Sequence, residues 1–316
     1  MNNRMRAYSA LGKREIWEHK SFWIVPAVIG CLGLLLVFYG CGALLVTAHQ
    51  GMININNNIN FTGLDRAQVV RAFIIGSAAF FNTIMLFMVW FYLMDSLYAD
   101  RKDRSVLFWK SMPISDTSTV LSKLFTGMVT APALMLVAVI ATEIITGILI
   151  IIVASFFSVN LLPVVMQPGT IILAWVTLAF ALIVQSLWLI PFFGWFLLCS
   201  AWARKLVLAW AVLIPLGAMI VERLFIGTHY LSNAIFGHIA KLFTMVMSGH
   251  YTVNGVTIGS GIEIGDKSDM VASHSPIMTL GSLASVFAQP EMWIGIAIGA
   301  IFVFGAIWLR RNRSEI

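Results

Sequence analysis

The chain has 316 residues, 59% hydrophobic and only 11% charged, with a mean hydropathy of +0.90. Soluble globular domains carry about 25% charged and about 45–50% apolar residues, so a soluble enzyme, a disordered protein and a secreted disulfide scaffold are excluded. The formal charge of +6 bears on which loops hold Lys and Arg, and so on membrane orientation, rather than on nucleic acid.

The N-terminal residues 1–21 interleave Arg4, Arg6, Lys13, Arg14 and Lys20 with Tyr8, Leu11, Ile16 and Trp17. That pattern predicts an amphipathic helix lying in the membrane interface. The first apolar run is long and no A-x-A-like site follows it, so no cleavable signal peptide is expected. Apolar runs of about 20 residues or more suffice to cross a bilayer, and they predict spans over 22–47, 72–97, 124–157, 171–201, 206–224 and 292–309. The third would be about 50 Å long at helical rise, against a hydrocarbon core of about 30 Å. It must tilt, extend beyond the bilayer or bend at Pro132. A charged loop, 98–120, joins the second and third spans. The segment 225–291 is too polar to span, and it reads as external, with amphipathic helices over 234–247 and 277–287 and a loop or small hairpin over 249–275.

Lys and Arg distribute unevenly over this map. Five lie in the N-terminal arm, five over 101–123, then Arg204 and Lys205, and three in the C-terminal tail. That leaves Arg66, Arg71, Arg223, Lys241 and Lys267 for the opposite side. A bias of 15 to 5 across alternate loops predicts an all-α integral membrane protein with six transmembrane helices and both termini cytoplasmic.

Enzymatic chemistry has little to stand on. The chain contains no G-x-x-x-x-G-K-[ST], H-E-x-x-H or G-x-S-x-G. Its six histidines are never three or four residues apart, so no helical metal face forms, and no metal site is expected. Cys31, Cys41 and Cys199 lie in apolar runs and read as small hydrophobes. Glu143, flanked by Ile140, Ala141, Ile144 and Ile145, is costly near mid-bilayer unless paired, protonated or facing water. It either lines a translocation path or bonds to a neighbouring helix near the outer interface. Asn82 raises the same question on the second span.

The loop is more informative. It runs Asp100-Arg-Lys-Asp-Arg-Ser-Val-Leu-Phe-Trp-Lys-Ser-Met-Pro-Ile-Ser-Asp116 and continues to Thr119-Val-Leu-Ser-Lys123. Apolar residues rimmed by charge suit a helix that docks on a soluble partner, or one that lies on the inner leaflet. This stretch resembles the first cytoplasmic loop of type-2 ATP-binding-cassette (ABC) permeases. The layout is similar too: an N-terminal connecting helix, six spans, and external helices before the last.

The resemblance implies a permease subunit in a bacterial inner membrane, paired with a second permease copy or a related chain. Each copy would dock on a separate P-loop ATPase subunit that holds ATP and Mg, with no cofactor in this chain. Arg101, Arg104, Leu107, Phe108, Trp109 and Lys110 would form the coupling helix, with Trp17 as a second contact. Glu143 and Asn82 are the candidates for a path taken by a hydrophobic or amphipathic substrate (drug, peptide or lipid-like). Two alternatives are a proton-coupled secondary transporter using Glu143 and a non-transporting membrane anchor or sensor.

Overall fold

A computed structural model describes residues 15, 17–49, 66–102, 115–156, 162–247, 251–253, 256–258, 262–264 and 279–312. The secondary structure is almost entirely helical. Helix α1 is Ser21–His49 and α2 is Arg66–Lys102. Helix α3, Asp116–Phe125, runs through a π-helical turn at Thr126–Thr130 into α4, Ala131–Phe156. After α5, Leu162–Val165, come α6, Pro168–Trp188, and α7, Ile190–Trp202. Helix α8, Val207–Val221, ends in a second π turn, Glu222–Ile226, and α9 is Tyr230–Met247. Three short strands, Tyr251–Val253, Val256–Ile258 and Ile262–Ile264, pair antiparallel in chain order. Helix α10, Leu280–Ala284, leads through a 3₁₀ turn into α11, Pro290–Asn312.

Six helices among the described residues are long and apolar enough to cross a membrane: Ser21–Gly40, Val70–Lys102, Asp116–Phe156, Pro168–Trp188, Val207–Ile226 and Pro290–Asn312. Their side chains are distributed as a bilayer requires. Leu36, Phe38, Phe80, Val137 and Phe304 point outward, while Asn82, Glu143, Thr177, Gln185 and Ser200 are buried. Water would penalise that arrangement and lipid favours it. The chain is an integral membrane protein.

Two spans differ from the sequence expectation, both at proline. The run 124–157 begins earlier, at Asp116, where the Ser115 hydroxyl caps the helix by accepting from the Ser118 amide at 3.2 Å. Its π turn falls just before Pro132, which has no N–H for the ladder; the Ala131 amide reaches back five residues to the Thr126 carbonyl. The run 171–201 is two helices, broken at Leu189 (φ −84°, ψ 0°) ahead of Pro191.

That break is closed from outside. The Trp188 indole N–H donates to the His238 carbonyl at 2.9 Å, and the His238 ring nitrogen Nε2 donates to the Trp188 carbonyl at 2.8 Å. The two rings stack at 4.2 Å. A backbone carbonyl freed by the break thus recovers a partner on α9. Helix α9 is itself started by Glu222, whose carboxylate accepts from the Thr228 hydroxyl and from the amides of Tyr230 and Leu231 at 2.7–2.9 Å.

The tightest crossing is α7 against α11, and it depends on glycine. A Cβ on Gly299 would sit 2.3 Å from Ile190 Cγ2 and 2.7 Å from its backbone, and one on Gly194 would sit 2.6 Å from the Gly299 carbonyl oxygen. Backbones approach that closely only without side chains between them, the usual device for packing helices in lipid.

Candidate functional site

The polar residues gather at two levels of the bundle. At one end the last turns of α2 and α11, both ends of α3 and the segment before α1 converge on a chain of buried ion pairs. Lys123 is its centre, with its ammonium 3.2 Å from Glu15 Oε1 and 3.6 Å from Asp100 Oδ1. Arg310 donates to Asp100 Oδ2 and to Asp116 Oδ1, each at 3.1 Å. The Tyr92 hydroxyl donates to the second Glu15 oxygen at 2.7 Å. Glu15 and Lys123 are each 1% exposed, and Asp100 is 6% exposed. His19 sits 3.8 Å from Glu15. Burial holds its imidazole below its ordinary pKa; Lys123 pushes it the same way and Glu15 opposes. Charges this deep are tolerated only when paired and hydrogen-bonded, and both oxygens of Glu15 and of Asp100 have a donor or a cation.

Arg101 belongs to the same end. Its guanidinium donates to the Ala203 carbonyl at 2.7 Å and to the Ser200 carbonyl, tying off the C-terminal carbonyls of α7. The Ser200 hydroxyl in turn accepts from the amides of Leu97 and Tyr98 at 3.0 Å. Arg101, expected on a docking surface, is engaged within the chain. Arg104, Leu107, Phe108, Trp109 and Lys110 lie outside the described residues, as do residues 1–14. Trp17 is 75% exposed, so the inward contact of this N-terminal segment is Glu15 rather than Trp17.

Glu143 lies at the other level, 20 residues beyond Lys123, or about 30 Å along the helix. Measured from the ion cluster, that is the full thickness of a hydrocarbon core. Its two oxygens accept from the Ser77 hydroxyl at 2.8 Å and the Trp175 indole N–H at 2.7 Å. It is 8% exposed. Of the two sequence readings, the geometry matches a carboxylate bonded to neighbouring helices, bracing α4 against α2 and α6.

Asn82 is likewise committed. Its amide exchanges both hydrogen bonds with Gln185, at 2.9 and 3.2 Å. The pair lines a cavity of about 30 Å³ with Ile75, Ala78, Met135 and Leu178, which is room for a water or two. Ligand pockets are typically about 300–1,000 Å³, an order of magnitude larger.

The ion cluster is what sequence reasoning missed. Glu15 is an acid among many cations in an N-terminal segment that stands out for its basic pattern, and Arg310 is one of three cations in the C-terminal tail. The available signal was charge inside apolar surroundings: Lys123 and Asp100 each adjoin hydrophobic runs. Comparison of the chain with family models, with curated proteins and with solved structures finds no match.

Proposed function

We propose that this chain is the membrane-spanning permease subunit of an ABC exporter, with both termini and the 98–120 loop on the cytoplasmic side of a bacterial inner membrane. The observation that carries the reading is the attachment of that loop. Its entry at Asp100 and its exit at Asp116 and Lys123 are fixed into one buried ion cluster that also holds Glu15 and Arg310, while Arg101 is held by the Ser200 and Ala203 carbonyls of α7. A push on a loop so attached is delivered to α2, α3, α7, α11 and the N-terminal segment together. A coupling element needs that property, whereas a passive linker between spans does not.

In this reading a separate P-loop ATPase binds ATP and Mg, and Phe108 and Trp109 dock on it. ATP-driven closure of two such ATPases moves the loops of a permease pair and reshapes the space between the copies. A hydrophobic or amphipathic substrate then leaves outward. The Lys and Arg bias supports the orientation, and the loop's resemblance to type-2 permeases supports the partner.

The test is to purify the tagged chain from its native membrane in mild detergent, identify what co-purifies, and assay ATP hydrolysis. A stoichiometric P-loop ATPase with vanadate-sensitive turnover is expected. Phe108→Ala/Trp109→Ala should uncouple that turnover from transport while the chain still inserts. Normal transport by the double variant would overturn the docking role. A chain that binds the ATPase yet shows no substrate-dependent turnover would instead be an anchor or sensor.

A further inference from the structure

The turn between α7 and α8 has a conformation that its sequence should avoid. Ala203 is buried and held through its carbonyl by Arg101. The chain then reverses over Arg204 and Lys205, and Leu206 completes the turn at φ 52°, ψ 52°. It is the one non-glycine residue with positive φ among the described residues. The left-handed region crowds a Cβ against the backbone; glycine enters it freely and asparagine with little cost, but a leucine seldom does. Among the described residues nothing offsets the strain, since the Leu206 side chain is 76% exposed.

The surroundings of the turn indicate what it meets. Trp202 and Trp210 flank it as an edge-to-face pair, ring centroids 5.3 Å apart, and are 37% and 43% exposed. Indoles of this kind gather at the level of lipid headgroups. Arg204 and Lys205 are exposed, and neither forms an ion pair with any described residue. Leu206 is continuous with an outward apolar stripe on α8, Leu208, Val212 and Leu216, at the spacing of one helix face. An apolar tip joined to a lipid-facing stripe, ringed by indoles and crowned by two unpaired cations, complements a bilayer surface with negative headgroups. A soluble protein would instead meet a surface turned away from that stripe.

We propose that the turn around Leu206 is a binding site for anionic phospholipid. Arg204 and Lys205 take the headgroup phosphates, Trp202 and Trp210 sit about one helical turn further in at the headgroup boundary, and the Leu206 side chain lies against the lipid at the entry to α8. Backbone strain at Leu206 is retained because it aims that side chain into lipid. The site is independent of the transport reading and holds whether or not an ATPase partner exists.

The full chain, with Cys31, Cys41 and Cys199 replaced by Ser or Ala and Leu206→Cys carrying an environment-sensitive fluorophore, is reconstituted into phosphatidylcholine vesicles with or without phosphatidylglycerol. The label should be quenched by shallow nitroxide lipids and shielded from aqueous iodide, most strongly with phosphatidylglycerol. Native mass spectrometry of the unlabelled protein should show retained phosphatidylglycerol. Arg204→Gln/Lys205→Gln should weaken that retention about five-fold per cation. Leu206→Gly, which relieves the strain, should melt no lower in detergent than the parent, yet retain less phosphatidylglycerol. Equal iodide access in both vesicle types, or retention unchanged in the double variant, would overturn the proposal. So would shielding that arises only when a soluble partner is added, which would make the turn a protein-docking surface.

Discussion

Lys123 and Glu15 stand 108 residues apart in the chain, yet the ammonium of one lies 3.2 Å from the carboxylate of the other, and both are 1% exposed. This contact fixes the segment before α1 to the start of the third span. Asp100 and Arg310 extend it to α2 and α11. Four elements remote in sequence are therefore tied together at one end of the bundle by buried charge, alongside apolar contacts of Leu97, Val120 and Ala306.

Removing the centre of this cluster should be costly. Lys123→Met leaves Glu15 and Asp100 buried without their shared cation, and losing one partner of a buried pair typically costs about 3–5 kcal/mol. Thermal unfolding in detergent should show a large drop. Glu15→Gln/Lys123→Met should recover part of it, because the double change also removes the stranded charge. A single Lys123→Met variant as stable as the parent would contradict the pairing.

The crossing of α7 and α11 should not accept even one methyl group. Gly299→Ala places its Cβ against the Ile190 backbone at 2.7 Å, where a rotamer change gives no relief. Overpacking of this kind costs about 1–3 kcal/mol or more. Gly217→Ala, with nothing within 4 Å of the added atom, should leave melting unchanged. Equal melting of the two variants would argue against so close an approach.

Acid should loosen the contact between α9 and the break at Leu189. Burial is the main reason His238 is held below its ordinary pKa, with the bond to the Trp188 carbonyl opposing. Glu291 favours its protonation and Lys241 opposes it. A histidine with a depressed native pKa binds fewer protons folded than unfolded, so stability rises with pH through that window. Its contribution is complete above the ordinary value of 6.5 and is lost as pH falls below it. His19 is shifted in the same direction and adds to the trend. Melting measured from pH 5 to pH 8 should rise toward neutrality, less steeply in His238→Gln; an identical slope in the variant would exclude His238 as a source.

Glu143→Gln separates bracing from proton transport. The amide keeps one acceptor for Ser77 or Trp175 but turns a donor toward the other. A lost or mismatched buried hydrogen bond costs about 1–3 kcal/mol. Lower stability with ATP-driven flux intact is the expected result. Flux driven by a pH gradient without ATP, and abolished by this change, would favour the proton-coupled alternative.

Much of the architecture was legible because bilayers impose a simple rule. About 20 apolar residues must run together wherever the chain crosses, and composition reveals such runs without knowledge of contacts. Pro132 was visible as a bending point, since a missing N–H is a local fact, whereas the run 171–201 reads straight through Pro191. The form of each break was not local. The π turn at Thr126–Thr130 retains one continuous helix, whereas the break at Leu189 is held by His238 from a segment 50 residues away.

The polar sites divide in the same way. Asn82 and Glu143 were noticeable because a polar side chain is conspicuous in an apolar run, but their partners Gln185, Ser77 and Trp175 lie on other helices. Whether such a group faces a path or a neighbour depends on helix rotation and depth, which a hydrophobic run leaves free. Sequence alone determined that the chain spans a membrane, and roughly where, because burial in lipid is paid for residue by residue along each helix. Only the tertiary structure decided that Glu15, Asp100, Asp116, Lys123 and Arg310 form one cluster, because pairing energy depends on the distance between helices and not on order along the chain.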